Sequence, residues 1–155
     1  MSLLLLHGFL GSPTDWAALT ARFPDSCAPQ IPAVTDWDDA VRWVEGERAL
    51  ASPQVLVGYS MGGRLALAAA LRPPGVQGLV LISASPGLDD AQERAARREL
   101  DDARAAEIRA GGLPAFVESW YAAAFWDTLR SHAVWPEVRG RRMLADAVTC
   151  AGHVA

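Results

Sequence analysis

Lysine is absent from this chain, and all 14 basic residues are arginines. That absence carries no mechanism by itself. Cysteine is nearly absent too: Cys27 and Cys150 are too few and too far apart for a disulfide framework or a metal knuckle. Such usage suits a reducing interior, so the cytoplasm is the expected compartment. No apolar run approaches the roughly 20 residues that span a bilayer. The opening Met1-Ser2-Leu3-Leu4-Leu5-Leu6 lacks a basic leader and is ended by His7-Gly8, so it does not read as a signal peptide. Nor is there an excess of positive charge. With 14 basic against 18 acidic side chains the net charge is -4, which speaks against nucleic acid or an anionic membrane as partner. Internal repeats, low-complexity tracts and obvious linkers are also missing. What remains is ordinary for one globular domain: 155 residues, 51% hydrophobic and 21% charged.

The apolar pattern gives the organisation. Residues 3–6 form a short, wholly apolar run ended by Gly8, as in a strand buried on both faces. Ser12-Pro13-Thr14-Asp15 supplies an N-cap serine, a proline at the first helical position and an acid at N3, which predicts a helix over 13–22. A weak extended stretch follows at 28–31. Thr35 is placed to cap the next helix, whose Trp37, Ala40, Val41 and Val44 share one face. Residues 54–58 and 78–83 read as the second and third strands, with a helix over 62–71 between them. After the third strand the character changes to helices over 89–109, 113–126 and 136–149. Strands alternating with helices imply a parallel sheet covered on both faces. The helical last third reads as a lid laid over it. The expected division is a core at 1–86 and a lid insertion at 87–155.

Gly58-Tyr59-Ser60-Met61-Gly62 satisfies G-x-S-x-G, in which a strand turns sharply into a helix with the serine at the apex. Side chains at the flanking glycines would collide across that turn. The five-residue pattern recurs by chance, but here an apolar strand precedes it and an Ala/Leu-rich helix follows it. His7-Gly8-Phe9, directly after the first strand, is a second and independent match. In folds built on this elbow, the loop after that strand and the residue after the serine each give one backbone N–H to an oxyanion hole, so the donors here would be the amides of Phe9 and Met61. His7 precedes the turn and reads as a structural histidine bonded beneath the loop rather than as a base.

These segments resemble the α/β-hydrolase fold, and within it the 2-succinyl-6-hydroxy-2,4-cyclohexadiene-1-carboxylate (SHCHC) synthases of the menaquinone pathway. The resemblance rests on LLHGFLGSPTDW from Leu5, VGYSMGGRLAL from Val57, SPGLDDAQERAARRELDDARA from Ser85 and FVESWYAAAFWDTLR from Phe116. It implies a lyase that eliminates pyruvate from a strongly anionic cyclohexene, with no metal or cofactor. It also implies that Ser60 abstracts a proton while the oxyanion hole holds the developing enolate. A multiply charged substrate calls for guanidinium groups with forked geometry. The resemblance assigns Arg64 and Arg97 to it, Trp120 and Tyr121 to a lid pair that closes over it, and Tyr59 to the pocket wall. On the residues alone, Arg97 is equally a solvated partner on a charged helix. Arg94 and Arg98 read as partners of Glu93, Asp90 and Asp101. Trp120 and Tyr121 are equally two aromatics packed under a lid, and Tyr59 fills space in many hydrolases. A carboxylester hydrolase using the same elbow, and a catalytically silent fragment, remain as alternatives.

The partners that would activate Ser60 are hard to find. Chain order in this fold is serine, acid, histidine, each of the last two on a loop after a further strand. No convincing strand follows Ser83. His132 lies at a polar helix end, and His153, in Cys150-Ala151-Gly152-His153, follows what reads as helix. By register with the resemblance the chain is expected to stop inside the lid, short of strand-helix units amounting to on the order of 60 to 90 residues. An unpaired apolar sheet edge is the expected consequence. The segment QIPAVTDWDD from Gln30 replaces the family's G-H-G stretch. The oligomeric state is left open.

Overall fold

In a computed structural model of the chain, the described residues are 1–155 apart from 34, 35, 54, 154 and 155, together with the side chain of 148. Strand β1 (Leu3–Leu6) is buried along its whole length. It pairs in parallel with β2 (Val55–Tyr59), from Leu3 opposite Val55 to Leu6 opposite Gly58. On its other side β2 pairs in parallel with β3 (Gly78–Ile82), from Val55 opposite Gly78 to Tyr59 opposite Ile82. The order is therefore β1-β2-β3, with the strand that leads to Ser60 in the middle. The expected extended stretch after the first helix shrinks to a single bridge. Cys27 joins β1 by accepting from Leu5 N at 2.9 Å and donating to Leu3 O at 2.8 Å.

Period-2 alternation explains how helices come to cover both faces. Leu4, Leu6 and Leu56 point to one side, against Ala40, Val41 and Val44 of α2 (Trp37–Ala51) and Leu65, Ala66 and Ala69 of α3 (Met61–Ala70). Leu3, Leu5 and Val57 point to the other. There they meet Trp16 of a 3-10 turn (Pro13–Trp16) and Leu19 of α1 (Ala17–Arg22). Each fully buried aliphatic side chain is worth about 1.5–3 kcal/mol in transfer free energy. Along α2 the predicted stripe holds for Ala40, Val41 and Val44, but Trp37 is exposed and carries the Arg64 guanidinium 5.3 Å from its ring centre. Thr35, the expected cap, and Gln54, the expected start of β2, lie outside the described residues. The cap is Asp36, whose carboxylate accepts from Asp39 N at 3.0 Å.

Beyond β3 the chain is helical. Asp90 caps α4 (Ala91–Gly111) by accepting from Gln92 N and Glu93 N at 2.8 and 2.9 Å. Gly112, at φ +80°, turns the chain into α5 (Leu113–Ala122). The single helix predicted to Trp126 instead breaks at Ala123, whose ψ of 142° is extended. A 3-10 turn (Ala124–Trp126) and α6 (Asp127–Arg130) follow. The helix predicted over 136–149 is two, α7 (Trp135–Met143) and α8 (Ala147–Gly152). Asp146 makes the break, because its carboxylate caps α8 through Thr149 N at 2.6 Å. These helices share a core in which Leu10, from the loop after β1, packs among Ala105, Ile108, Phe116 and Val117. Among the described residues no helix is long and apolar enough to cross a membrane.

Candidate active site

Ser60 sits where β2 ends and α3 begins, at φ 52° and ψ −114°. A non-glycine residue in this region stores roughly 1–3 kcal/mol and persists only where its surroundings over-determine it. Those surroundings are visible: Ser60 N donates to Ile82 O at 2.9 Å, and Ser60 O accepts from Gly63 N and Arg64 N at 3.0 and 3.1 Å. A Cβ at Gly58 would strike the Gly62 carbonyl, and one at Gly62 would strike the carbonyls of Leu6 and His7. Sequence reasoning anticipated both glycines. It missed Gly63, where a Cβ would lie 2.5 Å from that of Ala84; the doubled glycine in Ser-Met-Gly-Gly was the available signal.

The loop after β1 runs directly past this bend. A Cβ on Gly8 would lie 2.9 Å from the Tyr59 ring and 3.3 Å from Ser60 Cβ. Phe9 is the next residue, and Met61 is the first residue of α3, where a backbone N–H has no acceptor inside the helix. His7 holds the loop from beneath. Its Nε2 accepts from Ile31 N at 3.1 Å, so the ring hydrogen is on Nδ1, which donates to Gly8 O at 2.9 Å. Burial pushes the His7 imidazole below its ordinary value, and nearby His153 adds to that. His7 is therefore the structural histidine its position suggests.

The other candidates fall in three places. Tyr59 is half-buried beside Gly8, against the cluster of Leu3, Leu5, Trp16 and Val57, and burial raises its phenol, with Tyr121 adding to the effect. Trp120 meets Phe9 edge-on at 5.3 Å and stacks on Phe116 at 5.8 Å. The Arg104 guanidinium lies 4.7 Å from its ring centre. Tyr121 is only 6% exposed and turns in among the helices that follow β3, against Trp126 at 4.9 Å and Trp135 at 5.0 Å. Trp120 also walls a cavity of about 520 Å³ with Phe116, Trp126, Phe125, Arg104 and Glu107; Ser60 is not part of its lining.

Neither arginine expected to meet substrate is buried. Arg64 is exposed and lies on Trp37, and Arg97 donates from Nε to Asp101 at 2.7 Å with half of its side chain exposed. Arg94 binds the carbonyls of Leu88 and Asp89 rather than the expected carboxylates, and Asp101 is shared by Arg97 and Arg104. Arg98 is exposed. The buried guanidinium is one the sequence did not single out, Arg142, which forks onto Asp15 at 2.9 Å through both Nη atoms. Burial works against its charge, yet the Asp15 carboxylate outweighs this and holds the group above its ordinary value.

Each of the three histidines hydrogen-bonds elsewhere, and among the described residues none is bonded to the Ser60 hydroxyl. His132 Nδ1 accepts from Val134 N at 3.1 Å. His153 Nε2 donates to Ile31 O at 3.0 Å, with its ring 6.0 Å from that of His7 and its imidazole pushed down by burial. The Cys150 thiol is pushed up to about 11 by burial, so it is no nucleophile near neutrality. Among the described residues no group of His, Cys, Asp and Glu is arranged to hold a metal ion.

This bend, glycine set and loop have counterparts in known proteins. Over 164 residues the chain is 41% identical to the protein PHYLLO, chloroplastic, of Arabidopsis thaliana, an alignment covering 91% of this chain and 10% of that one. It is 32% identical over 133 residues to the 2-succinyl-6-hydroxy-2,4-cyclohexadiene-1-carboxylate synthase of Serratia proteamaculans, covering 77% of this chain. The chain spans about half the length of the curated synthases it matches, 52% in that case. Among solved structures it superposes on MenH from S. aureus with a TM-score of 0.89 at 24% identity, covering 99% of this chain and 65% of that one. The alpha/beta hydrolase family matches residues 3–153. The parallel sheet, the strained serine bend and that match agree, and the chain belongs to the alpha/beta hydrolase family.

Proposed function

We propose that this chain carries the serine-bearing part of an SHCHC synthase, a lyase of menaquinone biosynthesis. Its substrate would be 2-succinyl-5-enolpyruvyl-6-hydroxy-3-cyclohexene-1-carboxylate. The observation that carries the reading is Ser60, held at positive φ beside the loop after β1, in a chain whose synthase relatives match it over 77% of its length. Once a general base has taken the Ser60 hydroxyl proton, the Ser60 oxygen removes a proton next to a carbonyl, and the amides of Phe9 and Met61 hold the enolate oxygen that forms. The electron pair then expels the enolpyruvyl oxygen, the ring gains a double bond, and the departing enolate takes a proton at its methylene carbon to become pyruvate. Elimination of this kind uses no metal or cofactor, and the small anionic substrate is the partner the site is built for. The cytoplasm is the compartment that fits the reduced cysteines.

Arg64 and Arg97 meet the substrate carboxylates in this reading, with Tyr59, Trp120 and Tyr121 around the ring. Magnitudes support such a rearrangement. The exposed Arg97–Asp101 pair is worth about 0–1 kcal/mol, and the exposed Arg64–Trp37 contact roughly 0.5–1 kcal/mol. A substrate carboxylate can outcompete both. The division into a core at 1–86 and a lid insertion at 87–155 belongs to the same proposal. With no histidine on Ser60, these 155 residues alone are expected to turn over slowly, since loss of triad partners lowers kcat by about 10⁶, or roughly 8 kcal/mol of barrier.

A second reading, a carboxylester hydrolase, is favoured by one observation: an ester pocket needs no buried cations near its serine, and Arg64 and Arg97 are both exposed. Pyruvate release from the cyclohexene substrate, set against hydrolysis of a nitrophenyl ester, separates the two. Slow pyruvate release that Ser60→Ala lowers further is the expected result, and ester turnover without pyruvate would overturn the lyase assignment.

A further inference from the structure

We propose that Arg142 is a positioning residue that clasps the helical lid to the loop after β1, and so fixes the aromatic group resting on Phe9. Arg142 and Asp15 lie 127 positions apart in sequence, yet Nη1 reaches Oδ1 and Nη2 reaches Oδ2, each at 2.9 Å. Both ends of the clasp are anchored. Asp15 Oδ2 accepts from Ser12 N at 3.2 Å, and a Cβ on Gly11 would sit 2.9 Å from the same oxygen, so the loop is folded around the carboxylate. At the lid end, Arg142 Nε donates to the Tyr121 hydroxyl at 3.4 Å, and Arg141 Nε lies 3.4 Å from Asp15 Oδ1.

The contacts beside this fork are apolar and less directional. Leu10 is buried among the lid helices, and Phe9 lies against Phe116 at 5.9 Å and Trp120 at 5.3 Å. Greasy contacts of this kind hold two surfaces together but tolerate sliding. A buried ion pair adds little net stability over a hydrophobic replacement, but its forked geometry admits one register. With the fork filled by Asp15, Arg142 is not available to grip a substrate carboxylate in the same way. That separates its role from those of Arg64 and Arg97. The catalytic meaning of the clasp rests on the reading of Phe9 as an oxyanion donor; the clasp itself does not.

Hydrogen exchange resolved by segment tests it on the 155-residue chain. In Arg142→Gln, amides in 8–16 and 113–122 are expected to exchange about tenfold faster, while Leu56 and Val57 of β2 keep their wild-type protection. Arg142→Gln leaves the largely buried Asp15 carboxylate with only the longer Arg141 contact as a cationic partner, so Asp15→Asn/Arg142→Gln, which removes that carboxylate charge, is measured beside it and is expected to loosen the same two segments. Wild-type exchange in both segments of the double variant would overturn the proposal. An equal rise in β2 would also overturn it, by showing general destabilisation instead of lost positioning. Pyruvate release is read separately: ester turnover without pyruvate sinks the lyase assignment and leaves the exchange contrast to decide the clasp.

Discussion

Ser60 holds a conformation that its own side chain disfavours, and the strain is a property of the residue, not of its contacts. At φ 52° the cheapest occupant is glycine. Ser60→Gly is therefore expected to remove the hydroxyl while raising stability by about 1 kcal/mol in urea titration, the relief of roughly 1–3 kcal/mol being offset in part by the entropy of glycine in the unfolded chain. A variant less stable than wild type would show that the serine side chain contributes more than it strains. Ser60 and Gly58 were legible in sequence because their requirement is local, the bend and the Gly62 carbonyl that a Cβ at Gly58 would strike lying within five residues; Gly62 makes room for the carbonyls of Leu6 and His7 and was legible only because the G-x-S-x-G pattern fixes it. Gly63 was less so, since the atom it makes room for belongs to Ala84 on another segment.

At the scale of elements, β3 stands out. Val80, Leu81 and Ile82 are 46%, 39% and 40% exposed, on a strand with no partner on its outer side among the described residues. The sequence reading expected such an apolar edge. A charged side chain there is the common protection against edge-to-edge pairing. Val80→Lys is expected to change stability by under about 0.5 kcal/mol, as an exposed position, and to lower concentration-dependent association in sedimentation velocity. Association unchanged by the lysine would mean that β3 is not the surface responsible. Element types were readable from apolar period, whereas element ends were not. The breaks at Ala123 and before Asp146 interrupt helix-favouring sequence, because a competing cap and tertiary packing outweigh propensities of a few tenths of a kcal/mol per residue.

Over the whole molecule, His7 and His153 tie distant segments to residue 31: one ring accepts from Ile31 N and the other donates to Ile31 O. Both imidazoles are pushed down by burial from an ordinary value of 6.5. Protonation would remove the acceptor that His7 offers to Ile31 N and place two cations with ring centres 6.0 Å apart. As pH falls below about 6.5 the unfolded chain takes up protons first, so the stability these rings contribute is present above that pH and declines beneath it. Urea midpoints measured from pH 8 to 5 are expected to fall over the lower part of that range. His7→Gln/His153→Gln should flatten the decline, and a double variant with the wild-type slope would assign it to other groups.

The sequence by itself determined the parallel strands, the bend at Ser60 and the loop that passes it, because short apolar runs, helix-period stripes and the G-x-S-x-G turn are each written in a few consecutive positions. Only the tertiary structure decided which of 14 arginines is buried. Arg64, Arg97 and Arg142 carry the same group, and what distinguishes them is desolvation by neighbours brought in from elsewhere in the chain, such as an aspartate 127 positions away. The direction of Tyr121 was settled in the same way, by Trp126, Trp135 and Arg142 packing around it in three dimensions.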